Sequence, residues 1–216
     1  MHGLGDGQQA ALVISECQNA MTNPDYASNT GLALQAAGRG IIERIAELAR
    51  DCRRAGVPVV YATFVPRADF RGTTANCLLL GSLRKKAAVC EGRPEAEIHP
   101  LLTPQPGDFV IQRRHGLSAF HGTELEPVLR ALGTEAVILV GVSTNIAIPG
   151  TSLEAVNRGF TVVIPEDCTA GAWPEAHDFQ VRHTLPLLAT VTTSEGVRRA
   201  LGVPATVAGA GEPSLP

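Results

Sequence analysis

At 216 residues the chain is long enough for one sizeable hydrophobic core and short for two. Its 44% hydrophobic and 18% charged residues, with a formal net charge of -3, exclude a basic nucleic-acid-binding face, and no run reaches the ~18 apolar residues that a membrane span needs. Five cysteines without C-x-x-C spacing argue against a disulfide framework and structural zinc, and Met1 to Gln9 lacks the basic start and apolar core of a signal peptide, so the cytoplasm is the expected location.

The first apolar run, Ala10–Ser15, reads as a strand buried on both faces. It ends at Glu16-Cys17-Gln18-Asn19, where a carboxylate is costly unless it faces a crevice or a partner. Apolar residues at helical spacing from about Leu32 to Ala55 (Ile41, Ile42, Ile45, Leu48) predict a helix stopped by Gly56. A second strand over Val57–Phe64 completes a βαβ unit, whose crossover should be right-handed. Residues 66–106 are irregular, with the basic cluster Arg84-Lys85-Lys86 and a short helix near Leu78 to Leu83. A loop of this length in a compact domain is usually functional or disordered. Arg67, Asp69, Phe70 and Arg71 are therefore candidate ligand contacts or, equally, a solvated charge cluster.

The third strand, Asp108–Gln112, leads into Arg113-Arg114-His115-Gly116-Leu117-Ser118-Ala119-Phe120-His121. A helix over Glu124 to Gly133 follows, with Thr123 as N-cap and Glu126 in the capping-box position. Ala136–Val140 is a fourth buried strand, Gly141 to Asn145 a sharp turn, and about Ile146 to Arg158 a helix that Gly159 stops. Such a turn aims the first N–H groups of the helix beyond the carboxyl end of the strand, where they stabilise an anion or an oxyanion. A fifth strand (Thr161–Pro165), a helix (Glu175 to Leu188), a last strand (Ala189–Thr193) and a helix capped by Ser194 and ending near Leu201 finish the pattern. The Gly-, Ala- and Pro-rich 205–216 reads as a flexible tail on a single 1–204 domain.

Six strands alternating with helices predict an α/β fold: a doubly wound, Rossmann-like three-layer sandwich with a six-stranded parallel sheet. Ligands in such sheets bind at the switch point, between strands one and four, where Glu16 and the 141–147 turn both lie.

Gly141-Val142-Ser143-Thr144-Asn145-Ile146-Ala147-Ile148, with Thr151 and Glu154-Ala155-Val156-Asn157-Arg158-Gly159-Phe160, resembles the signature turn of the isochorismatase-like hydrolases, which have the cysteine hydrolase fold. That superfamily includes nicotinamidases, N-carbamoylsarcosine amidases, ureidoacrylate amidohydrolases and isochorismatases. The resemblance implies strand order 3-2-1-4-5-6, and a catalytic carboxylate at Glu16, one methylene longer than the family's aspartate. It implies a catalytic cation at Arg113, counting from Asp108, or at Arg114, counting back from Ser118. Ala147 stands where most members have a nucleophilic cysteine, so only its backbone amide remains. Substrate contacts are implied for Arg67, Phe70, His115 and Phe120, and for Val142, Ser143 and Ile146 in the turn. Metal-binding members have histidines after the second strand, whereas this chain has Val65-Pro66-Arg67-Ala68-Asp69, so no metal and no cofactor is expected. A small, anionic substrate and a homo-oligomer, dimer or tetramer, are the implied partners.

A methyl group cannot form an acyl-enzyme, so hydrolysis through position 147 has to use water directly. Glu16 would serve as an ionised base held by an arginine or, as in the isochorismatases that cleave a vinyl ether without the cysteine, as an acid if burial kept it protonated. His115 is a candidate proton-transfer group, while His121, His177 and His183 read as surface or packing residues. Two other readings stay open: a non-catalytic binding or assembly protein, and an amidase using Cys17 or Cys168.

Overall fold

The computed structural model describes residues 1–203 apart from Asp6, Ser28, Asn29 and Ala88; the expected tail, 205–216, lies outside the described residues. In chain order the elements are β1 (Ala10–Ser15), α1 (Asn19–Thr22), α2 (Thr30–Gly38), α3 (Ile41–Arg54), β2 (Val59–Phe64), α4 (Leu78–Lys86), β3 (Phe109–Arg113) and α5 (Leu125–Ala131). The second half adds β4 (Ala136–Val142), α6 (Ala147–Asn157), β5 (Thr161–Pro165), β6 (Thr169–Ala170), α7 (Pro174–Phe179), β7 (Thr190–Thr192) and α8 (Ser194–Ala200).

The strands pair in parallel in the order β3-β2-β1-β4-β5-β7, and β6 pairs with the end of β4. Alternation along each strand divides the apolar residues between two cores. Leu12 and Ile14, with Ile138 and Val140, pack against Leu32 and Ala36 of α2 and Ile41, Ile45 and Leu48 of α3. Ala11 and Val13, with Val137 and Leu139, face Leu125 and Leu129 of α5 and Ile148 and Ala155 of α6. Both sheet faces are thus covered, as a parallel sheet requires, and each Leu or Ile buried this way contributes about 1.5–3 kcal/mol.

Several expectations need correction. The sheet has seven strands rather than six, because the two-residue β6 inserts beside β4 and the last strand is β7. The helix expected from Leu32 to Ala55 is two, broken where Gly40 adopts a left-handed conformation with φ 61°. The helix expected over Glu175 to Leu188 ends at Phe179 and continues as a π-turn and a 3-10 turn containing Pro186. Pro186 supplies no N–H to an α-helical ladder. The capping box at α5 is absent: Thr123 Oγ1 accepts from the Leu125 N–H at 3.3 Å, but Glu126 turns to Arg130 and Arg158. Thr193, not Ser194, caps α8, accepting from the Gly196 N–H at 3.1 Å.

Candidate active site

Three strand ends converge at one side of the sheet. The register aligns Ser15 of β1 with Gly141 of β4 on one side and with Ala62 of β2 on the other, and β2 brings Phe64 beside Arg113. Gly141 is required there: its φ is 104°, and a Cβ would lie 2.2 Å from the Ser15 carbonyl oxygen. Beyond Ser15 the chain bends at Glu16, whose φ of 51° is left-handed and rare for a residue with a long side chain. The bend is fixed by Gln18, which is fully buried. Its side-chain amide donates to the carbonyls of Phe64 (3.0 Å) and Ala96 (2.7 Å) and accepts from the Phe64 N–H (2.8 Å).

Held by this bend, Glu16 forms an ion pair through Oε1 with Nη2 of Arg113. Nη1 of the same guanidinium donates to the Gly116 carbonyl at 2.8 Å, and the group lies 4.9 Å from the Phe64 ring centroid. The Arg113 side chain is 5% exposed and that of Glu16 16%. The acid and the base therefore neutralise one another in a largely desolvated setting, with the carboxylate retaining an edge towards open space.

That space is a cavity of about 280 Å³. Glu16, Arg113, Gly116 and Ser143 form its polar end, and Met21, Leu32, Phe64 and Leu117 form apolar wall. The remaining wall is one face of α4, contributed by Leu79, Leu80, Ser82, Leu83 and Lys86.

The turn from β4 to α6 carries a cis Val142–Ser143 peptide. Ser15 Oγ donates to the Val142 carbonyl at 3.2 Å, and the Ser143 carbonyl accepts from the N–H groups of Ile146 (3.2 Å) and Ile148 (3.0 Å). The Ala147 N–H makes no hydrogen bond among the described residues, as a first-turn helix amide is free to do. From behind, the turn is clamped. The Thr144 N–H donates to the Ala170 carbonyl at 2.9 Å, Thr144 Oγ1 lies 3.1 Å from His177 Nδ1, and Asn145 Oδ1 accepts from the Ala172 N–H at 2.7 Å. Gly171 is needed for this approach, since a Cβ there would lie 2.5 Å from Thr144 Oγ1. Burial, reinforced by the Arg39 charge, pushes the His177 imidazole down to about 4.

The structure thus brings Glu16, Arg113 and Ser143 onto one cavity and leaves the other sequence candidates off it. Arg114 points away and pairs at the surface with Glu91 at 3.5 Å. Arg67 pairs with Asp69 at 3.0 Å in solvent, which holds the Asp69 carboxyl at about 2, and Arg71 is exposed. Phe70 is buried with a left-handed backbone, and Phe120 stacks on Phe160 in the second core, 6.0 Å between centroids. His115 meets His121 edge-to-face at 5.1 Å. Val142 is buried in the first core, and Ile146 and Ala147 are not among the residues that line the cavity. Cys17 and Cys168 are buried, and desolvation pushes both thiols up, with the Glu16 charge adding to the effect on Cys17 and that of Asp167 on Cys168. Among the described residues no cluster of three or more His, Cys, Asp or Glu is placed to hold a metal ion. No described helix is long and apolar enough to cross a membrane.

Residues 10–196 match the isochorismatase domain family. An uncharacterised isochorismatase family protein of Escherichia coli O157:H7, YecD, is 39% identical over 92 residues, which span 43% of this chain and about half (48%) of that relative. Maleamate amidohydrolase of Pseudomonas putida is 29% identical over 183 residues, covering 81% of this chain and 78% of the relative. In three dimensions the fold is similar to that of a cysteine hydrolase from Pseudomonas syringae pv. phaseolicola, with a TM-score of 0.79 at 23% identity over 90% of this chain and 92% of the other.

Proposed function

Because the chain belongs to the isochorismatase family of hydrolases, we propose that it hydrolyses a small, anionic metabolite in the Glu16–Arg113 cavity, with water rather than a side chain as the attacking group. The observation that carries this reading is the ion pair at the cavity's polar end, which holds a carboxylate and a guanidinium together against the space that a substrate and a water molecule would occupy. In this reading Ala147 occupies the position of the family's cysteine, and its methyl group forms no acyl-enzyme. Glu16 accepts a proton from water, and the hydroxide oxygen bonds to the substrate's carbonyl carbon. N–H groups at the start of α6 meet the charge that develops on the carbonyl oxygen. The proton on Glu16 then passes to the leaving nitrogen as the C–N bond breaks. The similarity to maleamate amidohydrolase supports an amide as the bond cleaved. Exposed apolar residues on and near α6 and α7, including Leu153, Trp173, Phe179 and Leu187, support assembly as a homo-oligomer.

The test is turnover on a panel of amides, ureides, vinyl ethers and lactones, comparing the native chain with Glu16→Gln. Removing the base should lower kcat by about 10²–10⁴ while the far-UV spectrum is retained. One observation favours a second reading, a binding or assembly protein: Arg113 donates within the protein to both Glu16 and the Gly116 carbonyl, as a structural pair would. Absence of turnover across the panel, together with unchanged ligand binding in Glu16→Gln, would establish that reading instead. Alkylation bears on the cysteines, because Cys77 is the exposed thiol while Cys17 and Cys168 are buried. Iodoacetamide should leave activity intact, and loss of activity in step with modification of Cys17 or Cys168 would restore a thiol mechanism.

A further inference from the structure

The short helix α7 buries one residue, and that residue is a histidine. Pro174, Glu175, Asp178 and Phe179 are exposed, whereas His177 is 3% exposed, so α7 places an imidazole where an apolar side chain would be buried at less cost. Its Nδ1 lies 3.1 Å from Thr144 Oγ1, and among the described residues that hydroxyl makes no other hydrogen bond. Thr144 is fully buried and is joined directly to Ser143, the turn residue that lines the Glu16–Arg113 cavity. The Ser143 carbonyl in turn accepts from the Ile146 and Ile148 N–H groups, so the place of Ser143 governs where the first amides of α6 point. His177 does not line the cavity and takes no part in proton transfer there.

We propose that His177 is a positioning residue for hydrolysis: through Thr144 it holds Ser143 and the first amides of α6 in the pose that meets the developing oxyanion. The inference rests on the Glu16–Arg113 cavity being the active site, and it deepens that reading by giving a task to a residue outside the cavity wall. The fit around the contact is close. A Cβ at Gly171 would lie 2.5 Å from Thr144 Oγ1 and 3.4 Å from His177 Cβ, so the glycine lets the two side chains meet. Hydroxyl and imidazole satisfy one another in a buried setting, and removing either leaves its partner without a hydrogen bond, which the turn would shift to replace. Amides that are already aimed stabilise an oxyanion without reorganising, and a misplacement of about 1 Å lowers the rate about a hundredfold.

The experiment measures kcat and KM on succinamate and N-carbamoylglycine, an anionic amide and an anionic ureide, for the native chain, Thr144→Val, His177→Phe, their double variant, His177→Asn and Leu129→Ala. The last opens a space in the second core, away from the turn, and controls for lost stability. Each variant is assayed at a temperature where far-UV circular dichroism shows it fully folded. Thr144→Val and His177→Phe should each lower kcat about ten- to a hundredfold with KM held within about twofold. The double variant should lose no more than the larger single loss, because both substitutions remove the same contact. His177→Asn should recover most of kcat, since its amide reaches the place of Nδ1, and Leu129→Ala should keep the native kcat. If His177→Phe does not fold, Thr144→Val, which keeps the shape of the side chain, decides alone. The proposal is overturned if the native chain turns over neither compound, if Thr144→Val keeps the native kcat, if the two losses multiply in the double variant, or if Leu129→Ala loses as much. The hydrolase reading is judged separately, on the wider panel and on Glu16→Gln, so the positioning role can fail while the hydrolase stands.

Discussion

Replacing Arg113 by methionine measures how far the polar end of the cavity depends on mutual neutralisation. Removing one partner of a fully buried ion pair costs about 3–5 kcal/mol, because the other charge is left unpaired in a desolvated site. Glu16 keeps an edge on the cavity and rehydrates in part, which places the loss near the lower bound, ~3 kcal/mol. About 1 kcal/mol of this is the Gly116 carbonyl losing its donor. For a chain of this length the loss corresponds to a fall in Tm of about 6–12 °C. Glu16→Gln should cost a similar amount, about 3 kcal/mol, because it leaves the 5%-exposed guanidinium without its counter-charge even though an amide oxygen still accepts a hydrogen bond from it. The double variant should lose clearly less than the sum of the two, because it leaves no orphaned charge. Urea unfolding followed by far-UV circular dichroism, compared at constant m-value, reads all three losses. A cost under about 1 kcal/mol for Arg113→Met, or a double variant whose loss equals the sum, would refute the account of a desolvated, coupled pair.

His177 makes stability depend on pH. Its folded value, about 4, lies below the ordinary 6.5, so its contribution is complete above 6.5 and is lost as pH falls towards 4 while the unfolded chain takes up the proton. The loss amounts to about 3 kcal/mol at most, and His177→Gln should flatten this part of the stability profile; an unchanged acid limb would show that another group is responsible. Gly141→Ala should destabilise by about 2 kcal/mol or more, because the new Cβ meets the Ser15 backbone at a positive φ. A variant with native-like urea stability would mean that the ends of β1 and β4 adjust more easily than their close approach implies.

Much of the fold was legible because its pattern is local. The unbroken apolar runs of β1 and β4 announce strands buried on both faces, and the periodicity of Ile41, Ile45 and Leu48 announces α3. The break at Gly40 and the short β6 were not, because each depends on a tertiary fit. β6 exists only where Thr169 and Ala170 reach the end of β4 behind the clamped turn. Glu16 stood out as a charge ending a buried strand. Which of Arg113 and Arg114 meets Glu16 follows in the structure from alternation: Arg113 shares the buried side of β3 with Ile111, and its neighbour turns outward to Glu91. Phe120 and the leucines of α4 show the limit of sequence reading. Nothing in an aromatic or a leucine distinguishes facing a ligand cavity from facing a core, and only Lys86 in the basic run 84–86 turned out to border the cavity.

The Gln18 clasp has an architectural corollary. By gripping both Phe64 and Ala96, one amide ties down the two ends of the excursion that bears α4, while Glu16 sits two residues upstream, just past the end of β1. The carboxylate of the cavity and its α4 wall are therefore mounted on separate supports joined at a single rivet. An engineer could exchange the segment between those attachment points for one of different length or polarity and leave the Glu16–Arg113 pair in place, provided residue 18 stays glutamine.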